Sequence, residues 1–339
     1  MKKNTKTPPK TLRQDLYQQI TDKIVLAIEK GTLPWRKPWR TGQRNGDNPL
    51  PCNATTGRYY SGINVMLLWM AAEEQGFISN RWLTFRQALA AGGNVRAGEI
   101  SSQAVVFKPW EKQAEDLQGK KLFGQDGQPV RETVPMLKSL CLFNVSQCEN
   151  LPEEIVGEPP ISFDESKDEG TVDTNTLNRV AALIRNSDVT VDHRHQNQAY
   201  YRAATDKVVM PLNQQFFTEA DYWSTLLHEL VHSTGHAKRL NRQGITSASR
   251  TFGDEIYAFE ELIAELGSAF LCAEVGVFGE VQHDSYIDSW LRVLKGDRRA
   301  IFRACRFARN ATEYLLKHET LVEVINPAAL DNEVAVCSQ

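Results

Sequence analysis

The clearest pattern along the chain is a run of apolar positions at helical spacing within residues 12–30. Leu12, Leu16, Ile20, Ile24, Val25 and Ile28 share one face, and Gly31 follows as a stop, which predicts a helix. The next segment, Leu33-Pro34-Trp35-Arg36-Lys37-Pro38-Trp39-Arg40, cannot be helical across both prolines. Further helices are predicted over 63–75, ending near Gly76, and over 84–91, stopped by Gly92-Gly93. Apolar runs at 104–107 and 140–145 predict strands, separated by a polar insertion near 112–134 with the turn signal Asp126-Gly127. Residues 151–172 are rich in Pro, Gly and acid with little periodicity, which marks a linker. Beyond it the pattern predicts a helix near 174–186 and strands near 188–192, 198–203 and 207–210. Four helices follow, near 219–234, 254–275, 284–294 and 297–318. These elements imply an α+β fold of two domains, 1–150 and 173–339, joined by the linker 151–172.

Charge sharpens that division. Residues 1–150 hold 21 Lys+Arg against 13 Asp+Glu, whereas residues 151–339 hold 18 against 29. A basic half joined to an acidic half suggests that the N-terminal part meets a polyanion. The apolar stretch 63–72 is too short to span a bilayer, and the basic N-terminus is not followed by an apolar signal core. We therefore expect a cytoplasmic protein with no membrane partner. The six cysteines, Cys52, Cys141, Cys148, Cys272, Cys305 and Cys337, contain no CxxC pair, which argues against a zinc ribbon and for free thiols.

Candidate chemistry concentrates in the helix predicted over 219–234. Thr218 and Asp221 resemble a capping pair at its start, and Gly235 stands at its end. Within it, His228-Glu229-Leu230-Val231-His232 reads HExxH. Histidines four apart leave one face of a helix and can share one ion, while the intervening glutamate can act as general base without ligating. His228 and His232 are thus candidate metal ligands and Glu229 the candidate base. A catalytic zinc site takes three protein ligands, so one more is required. The segment Glu261-Leu262-Ile263-Ala264-Glu265 resembles the glutamate helix of gluzincin-type peptidases. That resemblance implies Glu261 as the third ligand and Glu265 as the carboxylate that orients a ligating histidine. Glu260 falls on a different face. The metzincin pattern would need histidine at 238, where the chain has Lys238. His193, His195, His283 and His318 read as ordinary exposed or hydrogen-bonded histidines.

The basic half interleaves rings with cations: Trp35-Arg36-Lys37, Trp39-Arg40 and Arg58-Tyr59-Tyr60, then Arg81-Trp82, Phe85-Arg86, Phe107-Lys108 and Trp110. Single-stranded nucleic acid needs both groups, cations along its phosphates and rings against its unpaired bases. For Trp35, Trp39, Tyr59 and Tyr60, in Pro- or Gly-punctuated loops, stacking on bases and packing into the core both remain open. Trp69 and Phe143 read as core.

Taken together, LYQQITDKIVLAIEKGTLPWRKPW, PCNATTGRYYSGINVMLLW and WLTFRQALAAGGNVRAGE resemble the N-terminal domain of ArdC-type antirestriction proteins. VVMPLNQQFFTEADYWSTLLHELVHSTGHAKRLNR and FGDEIYAFEELIAELGSAFL resemble the zincin-like metallopeptidase domain of the same family. The likeness runs from about residue 12 to 318. It implies a plasmid- or phage-borne protein that binds single-stranded DNA and helps incoming DNA escape restriction. The candidate DNA contacts, from the interleaving of rings and cations, are Trp35, Arg36, Lys37, Trp39, Arg40, Arg58, Tyr59 and Tyr60. The implied cofactor is one divalent ion on His228, His232 and Glu261, zinc first and manganese as the alternative. Two functions compete: a DNA-tethered metallopeptidase acting on an unidentified host protein, and a DNA-binding shield whose metal only braces the fold.

Overall fold

The computed structural model describes residues 15–36, 49–116, 118, 120–157, 172–246, 255–279 and 286–316. Helix α1 (Leu16–Glu29) begins at Asp15, whose carboxylate accepts the Tyr17 N–H, and buries Ile20, Ile24, Val25 and Ile28. Helix α2 (Ile63–Gln75) is apolar nearly all round and is buried from Val65 to Ala72, as such a helix must be. It stops at Gly76, held left-handed at φ 69°. Helix α3 (Phe85–Ala90) opens with a capping box between Thr84 and Gln87.

Strands β1 (Cys52–Asn53), β2 (Arg81–Leu83), β4 (Ser102–Gln113) and β5 (Arg131–Asn144) form a sheet in the order β1-β2-β5-β4. β1 and β2 run parallel and the other pairs antiparallel. The short strands β3 (Asn94–Val95) and β6 (Cys148–Glu149) pair beside it, and helix α4 (Glu153–Val156) lies inside the expected linker. The β4–β5 ladder is far longer than the runs 104–107 and 140–145 predict, continuing from Ser102↔Leu142 to Gln113↔Arg131. Its distal half takes in part of the polar insertion. A ribbon that leaves the core meets solvent on both faces, so the apolar signal ends while the backbone ladder continues.

The second half starts with helix α5 (Thr174–Ser187), capped by Asp173, followed by strands β7 (Thr190–Arg194), β8 (Tyr200–Arg202) and β9 (Lys207–Pro211). Their order is β7-β9-β8, with β7 parallel and β8 antiparallel to β9. Then come α6 (Glu219–Thr234), α7 (Gln243–Thr246), α8 (Glu255–Val275), α9 (Ile287–Gly296) and α10 (Ala300–Leu316). Helix α8 is the central member, in contact with α6, α9 and α10. Gly267 permits its close approach to α6: a Cβ there would lie 2.9 Å from Val231 Cγ1. Among the described residues no helix is long and apolar enough to cross a membrane.

One buried cluster runs through both halves. Ile20, Ile24, Trp35, Met66 and Trp69 belong to the same apolar core as Leu226, Leu230, Leu262, Trp290 and Ala304. Tyr17 meets Phe302 edge-on at 4.7 Å, Trp69 meets Phe270 at 6.0 Å, and the Thr21 hydroxyl donates to the Arg298 carbonyl at 2.8 Å. Helix α1 is therefore docked on α9 and α10, although some 270 residues separate them in sequence.

Candidate metal centre

Helix α6 spans the residues its periodicity predicts, because both of its ends are specified. The Thr218 hydroxyl accepts the Asp221 N–H at 3.1 Å, and Gly235 closes the last turn. His228 and His232 leave one face with their Nε2 atoms 3.1 Å apart. From the facing helix α8, Glu261 brings Oε2 within 3.6 Å of His228 Nε2 and Oε1 within 3.4 Å of His232 Nε2. Metal–ligand bonds of about 2.0–2.1 Å in a tetrahedron separate neighbouring ligand atoms by about 3.3 Å. The observed separations match that spacing, and the three side chains are all buried, so the donor set suits a divalent ion. Among the described residues the cluster has three such ligands, which leaves a tetrahedral ion one position for water or substrate.

Glu229 is 5% exposed and accepts a backbone hydrogen bond from Tyr201 on β8, an edge strand of the three-stranded sheet. Burial raises its pKa, against the pull of His232 and His228, a direction that favours proton uptake. Burial opposes the charge of His232, but Glu261 and a bond to Glu260 outweigh it and push that imidazole up to about 10. Burial likewise opposes the Glu261 carboxylate, and the two histidines hold it well below its usual range.

Behind each histidine stands another carboxylate. Glu265 Oε2 lies 3.7 Å from His228 Nδ1, and Glu260 Oε1 lies 3.4 Å from His232 Nδ1. Spacing along the helix sets Glu260 aside as a ligand and gives it no other part. It is not among the three converging ligands, yet it faces the second histidine as Glu265 faces the first. Each outer carboxylate has its own cation. Arg242 donates to Glu260 from Nε at 3.1 and 3.0 Å and from Nη2 at 2.6 Å. Arg36 Nε and Trp35 Nε1 each donate to Glu265 Oε1 at 3.4 Å. Tyr257 and Tyr286 are also residues that sequence reasoning misses. Their hydroxyls are 3.2 Å apart, and Tyr257 hydrogen-bonds Glu261. A loop arginine and isolated tyrosines carry no periodic signal, so nothing in the pattern singles them out. His236 is turned to Asp206, with Nδ1 3.9 Å from the carboxylate, and His193 Nε2 pairs with the Tyr222 hydroxyl at 2.7 Å. His195 is exposed, and His283 and His318 lie outside the described residues.

The candidate DNA residues divide. Trp35 requires a correction: it is 1% exposed, with its ring edge-on to Trp290 at 5.8 Å, so no face of the indole is open to a base. Arg36 is half-buried and turned to Glu265. Arg58 and Tyr59 are exposed and Tyr60 half-buried on the turn after β1. That turn is tied to α3 through the Gln87 amide, which donates to Thr55 Oγ1 at 3.0 Å, and α3 itself exposes Phe85 and Arg86. Lys37, Trp39 and Arg40 lie outside the described residues.

Residues 14–145 match the family described as the N-terminal domain of anti-restriction factor ArdC, and residues 178–307 match the zincin-like metallopeptidases. Two Escherichia coli proteins named DNA primase TraC are 36% and 34% identical, over 91% and 94% of this chain. The chain spans only 20% and 29% of their length. The protein named uncharacterized protein y4eC of Sinorhizobium fredii is 32% identical, over 89% of this chain and 91% of that protein. Crystal structures of the antirestriction ArdC protein from plasmid R388, metal-free and Mn(II)-bound, are 36% identical with TM-scores of 0.71 and 0.67. Both comparisons cover 89% of this chain and 97% of theirs.

Proposed function

The chain belongs to the ArdC antirestriction family, and we propose that it binds single-stranded DNA and carries a peptidase-type site with one divalent metal on His228, His232 and Glu261. The observation that carries this reading is the convergence of three buried ligand atoms at 3.1–3.6 Å beside a buried glutamate. Zinc suits a site of two imidazoles and one carboxylate, and manganese is the ion bound in the related R388 structure. When bound, such an ion supplies Lewis acidity toward a carbonyl oxygen and makes water more acidic. Glu229 takes the proton from the attacking water and returns it to the leaving amine. The Tyr257 hydroxyl is bonded to Glu261 and lies 3.2 Å from that of Tyr286, and one donor of this pair serves a substrate oxygen that gains charge in the reaction. Single-stranded DNA runs over the turn that bears Arg58, Tyr59 and Tyr60 and over the exposed Phe85 and Arg86 of α3.

Glu229→Gln tests the reaction, since it keeps size and helix but removes the basic carboxylate. Transfer of a plasmid into a restricting host is scored beside metal content and DNA affinity. A hydrolytic site predicts a variant that folds, holds metal and binds DNA, yet no longer protects incoming DNA. Full protection by a metal-loaded Glu229→Gln protein would favour instead a DNA-binding shield with a structural metal.

A further inference from the structure

The two outer carboxylates of the metal centre are held in different ways. Glu260 is fixed within the second half, by Arg242 on the stretch that follows α6. Glu265 is fixed from the other end of the chain. Among the described residues, Trp35 and Arg36 donate to it, and both come from the region that matches the ArdC N-terminal domain, while Glu265 sits in the zincin-like region. Both donors meet one oxygen, Oε1, and the other oxygen faces His228 Nδ1. The indole cannot swing away, because Trp35 is enclosed by the shared core and by Trp290. Its N–H direction is therefore set by packing. With Nε2 of His228 turned to Glu261 and His232, Nδ1 is the ring atom left to donate to Glu265.

We propose that Trp35 and Arg36 are positioning residues of the metal centre, holding the Glu265 carboxylate so that it orients His228. The N-terminal region thus completes the metal site in addition to any part it plays with DNA. This inference rests on the reading of His228, His232 and Glu261 as a divalent-metal site. Removing either donor lets a buried carboxylate rotate and loosens the histidine it supports.

The test uses the full chain and cobalt(II) as the probe, whose visible absorption reports ligand geometry, with zinc affinity measured by competition. Arg36→Gln is expected to bind metal about tenfold more weakly, the low end for loss of an outer partner of a metal ligand, with altered cobalt bands. Trp35→Phe keeps the ring and loses the N–H, and is expected to shift affinity in the same direction by less. Neither change should weaken binding further in a Glu265→Gln background, because both act through that carboxylate. Cobalt bands and affinity unchanged in both variants would overturn the proposal, as would equal losses with and without Glu265. A purely structural role would lower melting temperature and leave the bands as they are. Should Arg36→Gln fail to fold, Trp35→Phe carries the same comparison. Wild type that binds neither cobalt nor zinc would overturn the metal reading itself, before any substitution is made.

Discussion

Replacing Arg242 with methionine keeps much of the side-chain volume but leaves Glu260 only the His232 imidazole, 3.4 Å away and shared with Glu261. Both side chains are at most 3% exposed, so water cannot make up the loss. Three contacts to Glu260 disappear, together with those from Nη1 to Thr234 Oγ1 at 2.6 Å and from Nη2 to the Val231 carbonyl at 2.8 Å. Breaking a buried pair from one side costs about 3–5 kcal/mol, and the imidazole that stays beside Glu260 sets the loss toward the lower end. At about 2–4 °C per kcal/mol, the melting temperature should fall by on the order of 10 °C. The double variant Arg242→Met, Glu260→Gln removes the charge as well and should recover most of that loss. The assay is thermal unfolding followed by circular dichroism, on metal-stripped proteins at pH 7. Zinc affinity, measured alongside, should drop in Arg242→Met because Glu260 no longer bears firmly on His232. A fall of less than about 1 kcal/mol, the scale of an exposed ion pair, would refute the reasoning, as would a double variant no more stable than the single one.

Other substitutions separate the parts of the molecule. Tyr59→Ala should lower affinity for single-stranded DNA by about 1–3 kcal/mol in a filter-binding titration while leaving the melting temperature unchanged. Titrating zinc into the metal-stripped protein to 100 times its dissociation constant should raise stability by about 2.7 kcal/mol, and His228→Ala should abolish that gain. Asp206 is partly buried, which opposes its charge, but bonds from Arg239 and Tyr201 outweigh this and hold its pKa low. A lowered carboxylate stabilises the fold above its unfolded value and loses that contribution as pH falls through the folded one. Wild type should therefore exceed Asp206→Asn in melting temperature at pH 7 and converge with it in acid; a gap that persists at low pH would contradict this.

The parts legible in the sequence are those whose signals are local. Helix α6 carries its start at Thr218, its stop at Gly235 and, in the sixteen residues between them, both histidines, so its bounds and its facing side chains follow from spacing alone. Glu261 is legible through the family resemblance rather than through spacing, since 29 positions and a turn lie between it and His232. Trp35 stays open between core and surface in the sequence because a proline-punctuated loop reads as surface. The ring that encloses it, Trp290, lies more than 250 positions away, and no window on the sequence contains both. The same holds for Arg242 and Glu260, whose pairing depends on the short α7 returning to α8. Gly244 leaves room for it there: a Cβ at that position would lie 2.6 Å from Glu260 Cβ. The β4–β5 ribbon is underestimated for the opposite reason. Its ladder is local, but apolar periodicity reports burial, and Phe107 and Trp110 stand on an arm about half exposed.

The division at 151–172 is clear in composition, and the two family matches fall on either side of it, yet the apolar core crosses it. Helix α1 buries Ile20, Ile24 and Ile28 in the core that both halves share, and Thr21 is bonded to Arg298. Ion pairs from Asp15 to Arg298 and from Glu29 to Lys295 mark the two ends of the same seam. Exposed pairs of this kind contribute about 0–1 kcal/mol each, so the seam is held by the buried apolar side chains, each worth roughly 1.5–3 kcal/mol when fully buried. Separating the halves would expose that surface and also take Trp35 and Arg36 away from Glu265. A chain built in this way gains little from dividing into a DNA-binding piece and a metal-binding piece. The alignment of its relatives across both regions together is what a shared core requires.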